Sequence, residues 1–233
     1  MIVAIMQPYF FPYIGYFQLM RAVDMFVFYD DAQYMKGGWI NRNRILLDRQ
    51  PSWLTLPVKH DSRTVSINRR SYLLDRGVEP VKRKLQSAYA KTSAFKDTFS
   101  FVNDILDFDD PNVAAFNINL LCKTSQRLGI DCHFISSSRL EQSSGLRGED
   151  KVISLCKILG ADHYINPIGG VELYDPQNFA AAGMKLSFLR TMVAPISLRD
   201  GEAHLSVIDT AMRTEWGGVQ AQLDQYEIID REP

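Results

Sequence analysis

Two short, unbroken apolar runs near the start of the chain, Ile2 to Met6 and Met25 to Tyr29, restrict its possible folds more than any other feature. Runs of this length without polar alternation read as strands buried on both faces. The first is stopped by Gln7-Pro8, and Pro8, Pro12 and Gly15 then make a loop. Proline cannot continue a strand ladder, and glycine frees the backbone. Phe17, Leu19, Met20 and Val23 suit a short helix over Tyr16 to Ala22. Strand, loop, helix and strand in this order make a βαβ unit, which implies a parallel sheet with a right-handed crossover.

Beyond the second run the pattern is less regular. Tyr34 to Asn43 is rich in Gly, Asn and aromatic residues, while Asn43 to Leu47 and Ser52 to Val58 alternate like a pair of strands. Val65 to Asn68 reads as one more short strand. Helices are predicted over Val78 to Lys91, Phe95 to Leu106 and Pro111 to Leu128, with Pro111 in a first turn and Gly129 as a stop. Strands return at Asp131 to Ile135, His163 to Asn166 and Lys185 to Leu189. Between them lie helices at Gly148 to Leu159, closed by Gly160, and at Asn178 to Ala182. The tail after Arg213 has weak periodicity, so its order is expected to depend on contacts. The chain is therefore expected to be α/β, with a mostly parallel sheet and flanking helices. One domain over residues 1–233 is expected, carrying a mostly helical insertion at 76–130.

Composition narrows the function classes. A net charge of −1 without a long single-sign block argues against nucleic acid or an anionic membrane as main partner. No apolar stretch is long enough to span a bilayer, and the N-terminal run lacks the basic flank of a signal peptide. Cys122, Cys132 and Cys156 show no CxxC spacing and read as reduced thiols. A cytoplasmic protein is expected.

In parallel sheets, ligands bind beyond the carboxyl ends of the strands. Four such ends deliver polar groups: Gln7-Pro8-Tyr9, Asp30-Asp31-Ala32-Gln33, Ser136 to Arg139, and Asn166 through Gly169-Gly170. Each alone is ordinary loop chemistry; their convergence on one edge points to a site. The densest segment runs from Asp30 to Asn43. Asp30 and Asp31 can act as general bases or hold a cation. Lys36 and Arg42 can bind phosphate, arginine as a bidentate fork. Tyr34 or Trp39 can stack on a base or sugar ring, and Gln33, Asn41 and Asn43 add side-chain amides. Lys59-His60 follows an apparent strand and can supply a cation and an acid or base; a solvated loop reads equally well. His133 and His163 lie within strands and read as structural. The histidines lack metal-ligand spacing, and neither a Walker loop nor a GxSxG elbow is found.

Gln7 to Phe17, Phe28 to Tyr34, Gly38 to Asn43 and Trp53 to Val58 resemble the opening of WbqC-like proteins. Leu159 to Asn166, Gly169-Gly170, Leu173 to Asp175 and Leu205 to Asp209 continue the likeness across nearly the whole chain. The resemblance implies an enzyme of bacterial surface polysaccharide (O-antigen, lipopolysaccharide) synthesis. Its implied reaction is N-acyl or aminoacyl transfer to a nucleotide-linked amino sugar, with an acyl or aminoacyl carrier such as a carrier protein as donor. Asp30, Asp31 or His60 would then deprotonate the sugar amine. Lys36, Arg42 and Lys59 would hold the diphosphate, within a substrate site that also takes in Gln7, Tyr9, Asn166, Gly169 and Gly170. More distantly, Pro12 to Tyr16 occupies the place of the PxHxGH signature of HIGH-type nucleotidyltransferases, and Ile135 to Arg139 is similar to their ISSxxIR element. That likeness implies a Rossmann-like start, but Tyr13 or Ile14, and Tyr16, stand where the charge-stabilising histidines would be. An ATP-using nucleotidyltransferase and a non-catalytic nucleotide-sugar or carrier-protein binding module remain as alternatives.

Overall fold

In the computed structural model, which describes residues 1–62, 64–141, 145–198 and 201–231, both opening apolar runs are interior strands. In chain order the elements begin with β1 (Ile2–Met6), α1 (Ile14–Arg21), β2 (Met25–Phe28), β3 (Arg42–Leu47) and β4 (Gln50–Thr55). Next come α2 (Leu74–Tyr89), α3 (Phe95–Leu106), α4 (Val113–Leu128), β5 (His133–Ser136) and α5 (Gly148–Leu159). The chain continues through β6 (His163–Pro167), α6 (Pro176–Ala181), β7 (Lys185–Thr191), β8 (Ile196–Leu198) and β9 (Gly201–Ala203). It closes with α7 (Val207–Gln220) and β10 (Tyr226–Asp230).

The main sheet has the order β10-β7-β6-β1-β2-β5, parallel except for β10, which runs antiparallel to β7. Chain order reverses on either side of β1, as in doubly wound α/β sheets. Alternation along each strand explains the two helical layers. Val3, Ile5, Val27, Tyr164, Leu186 and Phe188 face one side with Val152, Leu155 and Cys156 of α5 and Phe179 of α6. Ala4, Phe26, Phe28, Ile165 and Leu189 face the other, over the larger core formed with α1, α2, α3, α4 and α7. Among the described residues no helix is long and apolar enough to cross a membrane.

Helix ends follow local chemistry. Gly129 and Gly160 close α4 and α5 in the left-handed region, at φ 71° and 69°. Asn112 is the N-cap of α4 and accepts from the Ala115 amide, so Pro111 lies just outside the first turn.

One segment differs from expectation. Residues 65–68 make only an isolated bridge, Gln33 to Ser66, before a 3₁₀ turn at Ile67–Arg69. The C-terminal segment is a packed helix and an edge strand. Its weak pattern has a cause: Glu215 sits at φ 62°, ψ 172° and breaks the phase of α7. Asp209 of α7 is fully buried and accepts from the Leu46 amide (2.8 Å), Arg213 Nε (2.8 Å) and the Tyr89 hydroxyl, joining α7 to β3 and α2.

Candidate functional site

The loop after β1 is heavily braced. Asn117 Nδ2 donates to the Pro8 carbonyl (2.8 Å) and the Ile40 carbonyl (2.7 Å), and its Oδ1 accepts from the Tyr72 hydroxyl. Asn43 Nδ2 donates to the carbonyls of Phe10 (3.3 Å) and Phe11 (2.9 Å), and Ser206 Oγ also donates to Phe11. These bonds hold Phe11 at φ 40°, a conformation rare outside glycine. Phe10, Phe11 and Phe17 are buried, and Tyr16 is buried with its hydroxyl on the Gln7 carbonyl. Tyr9 packs against Tyr16, at 5.7 Å between ring centres. Most of the opening aromatic block therefore builds the core. Tyr16, at one signature-histidine position, has no free hydroxyl to offer a phosphate.

The carboxyl ends of β1, β2, β5 and β6 do share one edge, because these strands are adjacent and parallel. Their polar groups largely engage one another. Asp30 is 5% exposed and accepts from Ser137 Oγ (3.1 Å), the Ser138 amide (3.0 Å), Ser138 Oγ (2.6 Å) and Asn68 Nδ2 (3.5 Å). That carboxylate ties β2 to the turn after β5 and has little accepting capacity left for substrate. Asp31 accepts from Ser137 Oγ and pairs with Lys151 Nζ at 2.7 Å. Lys151 lies 4.9 Å from the Tyr29 ring centre. Burial, with Asp31 beside it, pushes the Tyr29 hydroxyl up to about 12. Asn166 is buried, accepting from Tyr164 and donating to the Pro167 carbonyl. Gly169 and Gly170 lie in a 3₁₀ segment, and Gly170 touches Asn166 so closely that a Cβ would come within 2.1 Å of Nδ2.

The open space lies further out, beyond the end of β2. A cleft of about 780 Å³ is lined by residues of the 33–42 segment, the end of β4, the 58–61 loop and Arg70. Backbone bonds fix these walls together: Tyr34 donates to the Val65 carbonyl, Lys59 to Ser71 and Leu56 to Asn41. Of the residues expected from sequence, Gln33, Tyr34, Lys36, Asn41, Arg42, Lys59 and His60 line it. Asp30, Asp31, Gln7, Tyr9, Asn43, Asn166, Gly169 and Gly170 are not among its lining residues, nor is Trp39. Trp39 is 38% exposed nearby, 5.6 Å from the ring centre of Trp53.

The cleft is electropositive. Lys36, Arg42, Lys59 and Arg70 line it against one described carboxylate, Asp61. Arg42 donates to the Gly37 and Gly38 carbonyls and stacks at 4.0 Å on Trp53. Tyr34 donates to Asn41 Oδ1 at 2.9 Å. Burial pushes the Tyr34 hydroxyl up, while Arg70 and Arg42 pull it back. Arg70 escaped the sequence reading: it sits in an unremarkable Asn-Arg-Arg-Ser stretch, and its significance comes from burial. The only signal was a pair of adjacent arginines outside any charge run.

The profile of the WbqC-like protein family matches residues 7–221, which includes the loop, the cleft walls and the whole of α7. The chain is also 30% identical over 190 residues to Uncharacterized protein Rv1507c of Mycobacterium tuberculosis, covering 80% of each chain. No solved structure matches it. With the match running from the first loop through the last helix, the chain belongs to the WbqC-like protein family.

Proposed function

We propose that the protein is an enzyme of bacterial surface polysaccharide synthesis that transfers an acyl or aminoacyl group to the amine of a nucleotide-linked amino sugar bound in the outer cleft. The observation that carries this reading is the cationic excess of Lys36, Arg42, Lys59 and Arg70 over Asp61. A diphosphate brings the opposite charge, and the cleft volume lies within the range of small-ligand sites. Tyr34, half-buried between cationic neighbours, offers a ring face to a base or sugar.

His60 is the base in this scheme. An ammonium has no lone pair, so the sugar amine must lose a proton before it attacks. Asp30 and Asp31 are occupied by Ser137, Ser138 and Lys151, whereas His60 lines the cleft. The amine nitrogen attacks the donor carbonyl carbon. A C–N bond forms, the carrier's C–S or C–O bond breaks, and the carrier departs with a proton.

The test is incubation with nucleotide-linked amino sugars and acyl or aminoacyl carriers, read by mass spectrometry for an acylated sugar. Product formation that falls in His60→Gln supports the reading. Binding of ATP with no affinity for any nucleotide sugar overturns it.

A further inference from the structure

Arg70 is 5% exposed and lines the cleft, yet no carboxylate among the described residues pairs with it. One of its terminal nitrogens donates to the Ser62 carbonyl, its guanidinium carbon lies 4.8 Å from the Tyr34 ring centre, and its Nε has no partner among the described residues. A buried guanidinium without a counter-charge carries a large desolvation cost. Arg42 repeats the arrangement across the cleft wall. It stacks on Trp53, is oriented by two carbonyls, and has no described acidic partner. Stacking fixes each planar fork while leaving its charge unneutralised, which suits bidentate capture of phosphate oxygens.

We propose that Arg70 and Arg42 form a ring-stacked clamp for a diphosphate, with Arg70 as the deep anchor. This rests on the proposed function and deepens it: the ligand is recognised through two linked phosphates. The outer face of the β3–β4 hairpin gives the clamp a direction. Arg42 pairs across the strands with Thr55, which also lines the cleft, and the next pair on the same face is Arg44 with Trp53. Trp39 and Trp53 thus form a shelf at the Arg42 end, with Arg44 at 5.5 and 5.8 Å from their ring centres. The flat ring of a nucleoside diphosphate rests on that shelf.

The test is calorimetric titration of the full chain with sodium pyrophosphate and with orthophosphate, alongside melting curves. Pyrophosphate is expected to bind more tightly than orthophosphate. Arg70→Met is expected to lose on the order of tenfold or more in pyrophosphate affinity while melting at or above the wild-type temperature. Arg42→Gln is expected to weaken binding comparably, whereas Arg190→Gln, a remote charge control, leaves it unchanged. Equal affinity for the two anions, no pyrophosphate binding, or wild-type binding by Arg70→Met overturns the clamp. Should Arg70→Met melt lower, Arg42→Gln decides, and undiminished affinity there overturns it. Pyrophosphate binding without any acylated sugar would overturn the transferase reading and leave the clamp standing.

Discussion

Asn43 reaches back across the fold to Phe11, donating from Nδ2 to a carbonyl oxygen at 2.9 Å and to that of Phe10 at 3.3 Å. Its own Oδ1 accepts from the Arg44 amide, so a side chain that reads as a ligand contact is spent on backbone. Asn43→Ala leaves the Phe10 carbonyl without this buried partner. Expected is a loss of about 1–3 kcal/mol in urea unfolding. A loss near zero would show that the loop relaxes freely.

Asp209 predicts a larger effect. It is fully buried and serves Tyr89, Leu46 and Arg213 together. Asp209→Ala strips the Tyr89 hydroxyl and the Leu46 amide of their buried acceptor, at about 1–3 kcal/mol each, while Arg213, its side chain 37% exposed, turns to water. Tyr89→Phe removes only one bond and is expected to cost about 1–3 kcal/mol. Chemical denaturation of both variants checks the ranking, and a reversed order would refute it.

His60 and Asp31 separate the cleft from the strand edge. His60→Gln is expected to lower turnover by a factor on the order of 10²–10⁴ with the fold intact. Asp31→Asn disturbs the Lys151 pair and leaves the cleft walls in place, so turnover is expected to change little. The opposite pattern in steady-state kinetics would move the chemistry inward.

Acid should weaken the fold through His163. Burial, helped by Lys185, holds its imidazole below the ordinary value of 6.5, and Nε2 lies 2.7 Å from Ser187 Oγ. The unfolded chain therefore takes up a proton more readily than the native one. This contribution is complete above pH 6.5 and is lost as pH falls through that value toward the lower native one. Melting curves between pH 8 and 5 should show a shallower acid slope in His163→Asn.

The cysteines should be unreactive in the native protein. Burial pushes the Cys122 thiol up to about 11 and those of Cys132 and Cys156 up to about 12. The thiolate is the reactive form, so iodoacetamide at pH 7.5 is expected to label them slowly until denaturant is added. Rapid native labelling at any of the three would contradict this.

Much of the scaffold was legible because buried strands announce themselves. Ile2 to Met6 and Met25 to Tyr29 lack polar alternation, and each became a strand flanked on both faces. The helix closed by Gly160 was equally clear. The tail was less so, since the non-helical Glu215 splits its apolar stripe. The site was legible by composition and blurred in position. Lys36, Arg42, Lys59 and His60 fell in the cleft, but polar type alone could not distinguish Asn43 and Asp30, which serve the fold, from residues that face space. Arg70 showed only as one of two adjacent arginines, because a buried charge with no carboxylate partner among the described residues is a property of three dimensions.

The bracing of residues 8–12 also bears on how the chain is made. Its carbonyls are met by Asn43, Asn117, Ser206 and the Val207 amide, and β1 takes β6 as a neighbour. This loop thus finds its last partners some two hundred residues later in the chain. Such distant closure slows folding. Nascent chains arrested before Ser206 are expected to remain protease-sensitive at their N-terminal loop, and protection of that loop in shorter chains would refute this.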